Sequence, residues 1–530
     1  MRRRFVLIAL SLALASCGDD GSGSGSGGGG GGVTVNQPPV FTSGTAVTVP
    51  ENTAGTVYTA TANDPEGKAV TYTISGGADA ARFTINASGA VSFITPPDFE
   101  HPTDSDANNT YLITVSASDG VNTVAQNVTI TVSDVPGEGI QVRQFTRVDA
   151  NPIQMATIPG DRRFAVLTHD FLWLVDSVTG ANSIAMRPGL GRIGLTGCGI
   201  LIRSMAFSPN FAADRTMYVS GPVDCDRSRL EIRRVQVDAN GAATGPGTRV
   251  LVATVNFYDA ATDEASVDDM RFGPDGLLYV TTGDRSNNFG KTPGPAQSGY
   301  TRDLSNLAGK VLRIDVNGDD FPADPDRNYR IPAGNPFAAG GGAPEVFAYG
   351  FHIPRGIDFN GNDMLFADRG YGDVTLAPNP VHEIDLVRRA DAGGDYGFYN
   401  CQGDRNFSGT GPCTFPTILP VIQASAPVAS EGRYLIGGIV YDGPIQDLRG
   451  QYIFAFAAPG GGYPNSFWSV PVAQLTQGAN LKFSTLRDRT ADFQAVGGVL
   501  NSVAAMGKDL SGNAYIFDSD GDIFVIAPPA

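Results

Sequence analysis

Apolar and polar positions alternate with period two in short runs along most of the chain. After the first 16 residues no stretch sustains a helical period. In "YLITVSASDGVNTVAQNVTITVSDV" (111–135) apolar residues recur at every second position on either side of a Gly-containing turn, the pattern of half-buried strands. Similar strands and turns fill residues 38–135, which predicts a β-sandwich. From residue 140 to 530 a loose repeat takes over. "IPGDRRFAVLTHD" (158–170), "FSPNFAADRTMYVSG" (207–221), "FGPDGLLYVTTGD" (272–284), "IDFNGNDMLFADRG" (357–370), "LRGQYIFAFAA" (448–458) and "MGKDLSGNAYIFDSDG" (506–521) share one plan. Each has apolar residues, a polar turn, and an apolar-aromatic strand. Six copies at about 65 residues per unit suit four-stranded blades with long insertions, hence a six-bladed β-propeller with its ligand site in the central channel. The expected fold class is all-β throughout.

The N-terminus differs. Arg2, Arg3 and Arg4 precede an apolar run, Phe5 to Ala15, too short to span a bilayer and suited to a signal peptide over 1–16. It ends Leu14-Ala15-Ser16-Cys17, which resembles a bacterial lipobox. The resemblance implies cleavage before Cys17, lipid on its sulfur, and a membrane partner through that lipid. Gly18 after Cys17 favours the outer membrane or cell surface by the sorting rules of two-membrane bacteria. Residues 17–37, with "GDDGSGSGSGGGGGG" at 18–32, read as a flexible tether.

Composition narrows the partners. A net charge of −17 repels phosphate backbones and argues against nucleic acid; it suits calcium, which takes carboxylate and carbonyl oxygens. Beyond Cys17 the cysteines are Cys198, Cys225, Cys401 and Cys413. An even number in an exported chain predicts two disulfides. Local pairs, 198–225 and 401–413, are favoured among three possible connectivities.

Pro50-Glu51-Asn52, Asn63-Asp64-Pro65-Glu66, Asp98-Phe99-Glu100, Ala117-Ser118-Asp119-Gly120 and Ser133-Asp134-Val135 together resemble a cadherin repeat over 38–135. The resemblance implies adhesion and calcium half-sites at the two ends of the sandwich. Glu51, Asp98, Glu100 and Asp134 would form one, and Asp64, Glu66 and Asp119 the other. A single repeat is present, so neither half-site has its usual partner. "TDSDANN" (103–109) either adds ligands or is a solvated loop.

In the C-terminal region "IRSMAFSPNFAADRTMYVS", "MRFGPDGLLYVTTGD", "LAGKVLRIDVNGD", "NPFAAGGGAPEVFAYGFHIPRGIDF", "AGGDYGF" and "IGGIVYDGPIQDLRGQYIF" follow in order. They resemble the glucose/sorbosone dehydrogenase family of six-bladed propellers. That resemblance implies pyrroloquinoline quinone (PQQ) with calcium in the channel, and a histidine base acting on a sugar or polyol hydroxyl. Ala265 stands where the family keeps that histidine. Gly350-Phe351-His352-Ile353-Pro354-Arg355-Gly356 stands at the family's G-x-R-N-P-x-G, with His for the quinone-binding Arg and Ile for the Asn. Asp268 and Asp269 put carboxylates where the family is small, and like charge near a tri-anion is costly. His352, Arg355, Arg369 and Asp284 remain the candidate cofactor- or ligand-binding residues; no catalytic residue is assigned.

The expectation is a lipid-anchored surface protein whose propeller binds a carbohydrate or surface protein. Two alternatives stand beside it: an active PQQ- and calcium-dependent dehydrogenase with a non-standard base, and a metal-dependent hydrolase using Asp268 and Asp269. Three weaker signals remain. Gly189–Gly194 fits GxGxxG without a βαβ context and reads as a loop. Asp518-Ser519-Asp520-Gly521-Asp522 reads as a hairpin turn or half a calcium loop. "DVNGDDFPADPD" (315–326) is an acidic insertion with calcium possible.

Overall fold

A computed structural model describes residues 35–99, 102–135, 140–168, 170–186, 202–223, 226–254, 269–284, 301–370, 381–398, 400–406, 412–414, 417–424, 434–457 and 464–528. Cys17, Glu100, His101, His169, Gly189–Gly194, Cys198, Cys225 and Ala265–Asp268 lie outside the described residues. The chain divides into two compact units, meeting in sequence between Asp134 and Val135.

The N-terminal unit is built from two main sheets. One has the strand order Ala46–Pro50, Thr123–Ser133, Thr110–Ser118, Thr71–Gly76; the other has Thr56–Thr59, Ala90–Phe93, Phe83–Ile85. Alternation buries Tyr111, Ile113 and Val115 from one strand and Val128, Ile130 and Val132 from its neighbour. Each such side chain contributes roughly 1.5–3 kcal/mol. Tyr111 packs edge-on to Phe83 and Phe93, with ring centroids 5.7 and 5.0 Å away.

Among the described residues the C-terminal unit holds six sheets of four or five strands. Each begins with an inner strand: Pro152–Thr157, Ser204–Phe207, Asp269–Phe272, Pro354–Asn360, Tyr434–Val440 and Val503–Lys508. Every inner strand packs on the next, and the sixth packs on the first, so the ring closes. These are blades one to six. The last is completed by the unit's earliest strand, Gln141–Arg147, which pairs antiparallel with Asp522–Ala527. Both ends of the unit thus share one sheet. Each copy of the sequence repeat is the hairpin joining a blade's first and second strands. In blade three Gly273 N–H donates to Leu277 O at 2.9 Å and Gly276 takes a φ of +75°, the turn that Pro-Asp-Gly predicts.

The acidic insertion 315–326 leaves blade three after Lys310–Ile314. Its carboxylates meet arginines: Asp326 pairs with Arg249 at 3.1 Å and Asp315 with Arg330 at 3.5 Å. Asp518–Asp522 is the hairpin turn between the second and third strands of blade six, with Gly521 N–H donating to Asp518 O at 3.0 Å. Cys401 and Cys413 form a disulfide.

Candidate functional site

The inner strands surround a narrow opening lined by residues that include Gln154, Arg203, Asp269, Arg271, Arg355 and Met506. Inner strands come closest where glycine allows it. Gly356 and Gly437 both have positive φ, and a Cβ on Gly356 would stand 3.1 Å from Gly437 Cα. A side chain at either position would push blades four and five apart.

Asp269 begins the inner strand of blade three and is nine-tenths buried. It knots four blades together. Oδ1 accepts from Gln154 Nε2 of blade one at 2.6 Å, from Ser204 Oγ of blade two at 3.4 Å and from Met270 N–H at 2.8 Å. Oδ2 accepts from Ile357 N–H of blade four at 2.8 Å. Gln154 Oε1 in turn accepts from Met205 N–H at 2.7 Å. A second knot centres on Asp358. It accepts from Arg271 of blade three at 2.9 Å and from Val440 N–H of blade five at 2.8 Å, and pairs with Lys508 of blade six at 3.2 Å. A buried carboxylate is tolerated only when paired and hydrogen-bonded. Here that requirement is met by joining blades. Asp269 is therefore a strand tie, where the sequence suggested a carboxylate open to metal or repelling a quinone.

The four candidate ligand residues separate. Arg355 lines the channel opening. His352 and Asp284 meet between blades three and four, with Nε2 to Oδ1 at 3.5 Å and both side chains buried. His352 Nδ1–H donates to Arg369 O at 2.5 Å, and its ring stacks on Phe398 with centroids 4.4 Å apart. The Asp368 carboxylate accepts the backbone N–H of His352 at 2.8 Å and of Ile353 at 2.6 Å. The Arg369 guanidinium lies 3.3 Å over the Tyr434 ring, a cation–π contact.

Around this pair is an acidic interior. Burial lowers the His352 pKa to about 4 and raises that of Asp368 to about 6. Burial also pushes the Glu383 and Asp385 carboxyls well above the usual carboxylate range, and each is raised further by neighbouring carboxyls. Both Asp385 oxygens are buried without a hydrogen-bond partner among the described residues. Lys310, also buried, donates to Thr301 O at 2.9 Å and Ala308 O at 2.6 Å, and burial lowers its pKa to about 7. Sequence reasoning passed over these groups. A signal existed in His382-Glu383-Ile384-Asp385-Leu386, where period two puts both carboxyls on one face.

In the N-terminal unit the residues of the two expected half-sites meet backbone and amide donors. At one end Glu51 Oε2 accepts from Phe99 N–H at 2.9 Å, next to Asp98, and Glu51 N–H donates to Ser133 O at 3.0 Å, next to Asp134. At the other, Asp119 accepts from Asn36 Nδ2 at 2.5 Å, which with backbone donors lowers its pKa to about 2. Glu66 accepts from Gln37 Nε2 at 3.1 Å, and Asp64 Oδ1 from the backbone of Glu66 and Lys68, both at 3.0 Å. The Lys68 ammonium reaches Asn36 Oδ1, bringing a cation into that end. Among the described residues no three His, Cys, Asp or Glu side chains gather as a metal site.

The Glucose / Sorbosone dehydrogenase family model matches residues 150–453, and a Bacterial Ig domain model matches 36–131. The HIPL2 protein of Arabidopsis thaliana is 24% identical over 388 residues, 61% of this chain and 53% of that protein. The human Hedgehog-interacting protein is 31% identical over 161 residues, 28% of this chain and 21% of that one. The chain thus spans about half, or less, of the length of these curated relatives. The soluble aldose sugar dehydrogenase of Escherichia coli in its apo-form superimposes with a TM-score of 0.51 at 16% identity, over 74% of this chain and all of that one. This likeness concerns the fold.

Proposed function

The chain belongs to the glucose/sorbosone dehydrogenase family, and on that premise we propose that its propeller binds an acidic carbohydrate without oxidising it. One observation carries the reading. Arg203 and Arg355 come from blades two and four to a single opening, beside Arg271, which is paired with Asp358, in a chain whose net charge is −17. Planar guanidinium groups recognise carboxylate and sulfate in two-pronged fashion.

The family's quinone fits the described residues poorly. It presents three carboxylates, and of the cations here Arg271 is spent on Asp358. His352 and Ile353 take the places of Arg and Asn, with both backbone amides held by Asp368 and the imidazole turned onto Arg369 O. A buried neutral imidazole adds no charge toward a tri-anion. In the base position the sequence has Ala265. The hydrolase reading loses Asp269 to its four-blade knot.

In the same reading Cys17 carries lipid and the tether holds the protein at the bacterial envelope. The Ig-like module binds calcium at its ends through Glu51, Asp98 and Asp134, and through Asp64, Glu66 and Asp119, as an adhesion element.

Calorimetric titration of the full chain with oligogalacturonate, with its methyl ester, and with a sulfated oligosaccharide tests the channel. The expected result is binding of an anionic probe that weakens with salt and falls about tenfold in Arg355→Gln. Equal binding of the uncharged ester, or no binding of either anion, would overturn the proposal.

A further inference from the structure

The loop Thr103-Asp104-Ser105-Asp106-Ala107-Asn108-Asn109 lies beside the Glu51 end of the Ig-like module, Asn109 Nδ2 donating to Phe99 O at 2.8 Å, and supplies none of the residues named for that end above. Asp79 anchors it: Oδ1 accepts from Ser105 N–H at 2.7 Å and Oδ2 from Leu112 N–H at 2.8 Å. Both Asp79 oxygens are thus spent on backbone. Ala107 and Asn109 take left-handed φ values of +56° and +61°, and the loop folds onto itself. Asp104 Oδ2 accepts from Asn108 N–H at 2.8 Å, and Asn108 Nδ2 donates to Asp106 Oδ2 at 2.8 Å.

Two oxygens are left over. Asp104 is 8% exposed, and its Oδ1 is buried with no hydrogen-bond partner among the described residues; the same holds for Asn109 Oδ1. The Asp104 carboxyl also stands beside that of Asp106, within reach of a hydrogen bond that neither can donate when ionised, and pushes the Asp106 carboxyl up. A buried acceptor without a donor costs roughly 1–3 kcal/mol, and two facing carboxylates add repulsion. A cation placed between them removes both penalties.

We propose that Asp104, Asp106 and the amide oxygens of this loop form a calcium site whose ligands are distinct from those named for the module's two ends. The spacing Asp-x-Asp-x-Asn followed by a left-handed residue is the one with which oxygen-ligand loops wrap calcium; here Asn109 fills the place usually given to glycine. Two carboxylates with neutral oxygens suit calcium, which accepts six to eight mixed ligands, better than magnesium, which demands a near-ideal octahedron. So few charges place the affinity at about 10⁻⁴–10⁻³ M, the range of extracellular modules.

Equilibrium dialysis of the full chain against calcium chloride tests this, with terbium emission as a second readout. Tyr111 is a local sensitiser, its hydroxyl accepting from Thr103 N–H at 3.1 Å. Asp106 is exposed, so Asp106→Asn leaves the fold intact. The expected result is that Asp106→Asn and Asp104→Asn each lose one bound calcium or weaken it about tenfold or more, while magnesium competes poorly. Glu51→Gln leaves this site unchanged, so failure of the end sites and failure of this one are told apart. Identical calcium curves for Asp106→Asn and the parent chain would overturn the proposal.

Discussion

In the propeller, Asp269 and Asp358 lie inside, and each accepts donors from neighbouring blades. In the Ig-like module, Glu66 and Asp106 are exposed, and their side-chain donors are amides from Gln37 and Asn108. A buried carboxylate is scaffold, as Asp79 is within the module; an exposed one such as Glu66 or Asp106 holds no strand end. The difference follows from what surrounds each carboxylate. Inside the ring, the ends of inner strands supply backbone N–H groups and cations that nothing else can satisfy. At a loop, water competes for every donor, and the oxygens stay available to an ion.

The sharpest way to break this contrast is to remove one carboxylate from each class. Asp269→Ala leaves Ile357 N–H and the Gln154 amide without their acceptor and should cost roughly 3–5 kcal/mol. Glu66→Gln in the module, whose carboxylate is exposed, should change stability by less than about 1 kcal/mol. Urea unfolding followed separately for the two units checks both, and equal costs would erase the distinction.

A smaller effect is expected from the covalent tie. Only the propeller carries the Cys401–Cys413 disulfide, which closes a loop over a sequence separation of 12. Replacing both cysteines by serine should lower the propeller's stability by about 2–3 kcal/mol and leave the module's transition where it was.

The smallest expected effect is a pH slope. Asp385 has a folded pKa raised well above its unfolded value, so the unfolded chain gives up its proton first. Stability is then full below the ordinary carboxylate range and falls as pH rises toward the folded pKa. Asp385→Asn should flatten the slope above the ordinary carboxylate range and stabilise the propeller at neutral pH. Lys310, with its pKa lowered to about 7, adds stability only as pH rises above that. His352 and Asp368 shift in opposite directions, to about 4 and about 6. Between those values the folded and the unfolded pair each hold one proton, so they contribute no slope. His352→Gln should uncover the Asp368 slope, with stability falling between pH 3.8 and 6. Denaturation midpoints across this range would show it.

The blades were legible because their signal is local. "FGPDGLLYV" contains its own turn and strand, and the other five copies do too. Alternation in residues 111–135 likewise announced the buried faces of the N-terminal sheet. The knots were not legible. Gln154, Ser204, Asp269 and Ile357 are far apart in sequence, and only ring closure brings them together. Asp269 therefore looked like a free channel carboxylate, and His352 like a cofactor- or ligand-binding residue. Its burial against Phe398 and Arg369 O depends on later segments of its own blade folding back over it.

The central claim is that this propeller binds without oxidising, and dye reduction tests it most directly. The full chain is given PQQ and calcium chloride, then aldoses and polyols, with an artificial electron acceptor. The account predicts no reduction above the protein-free rate and weak or absent quinone binding. Tight quinone binding together with sugar-dependent turnover would contradict it.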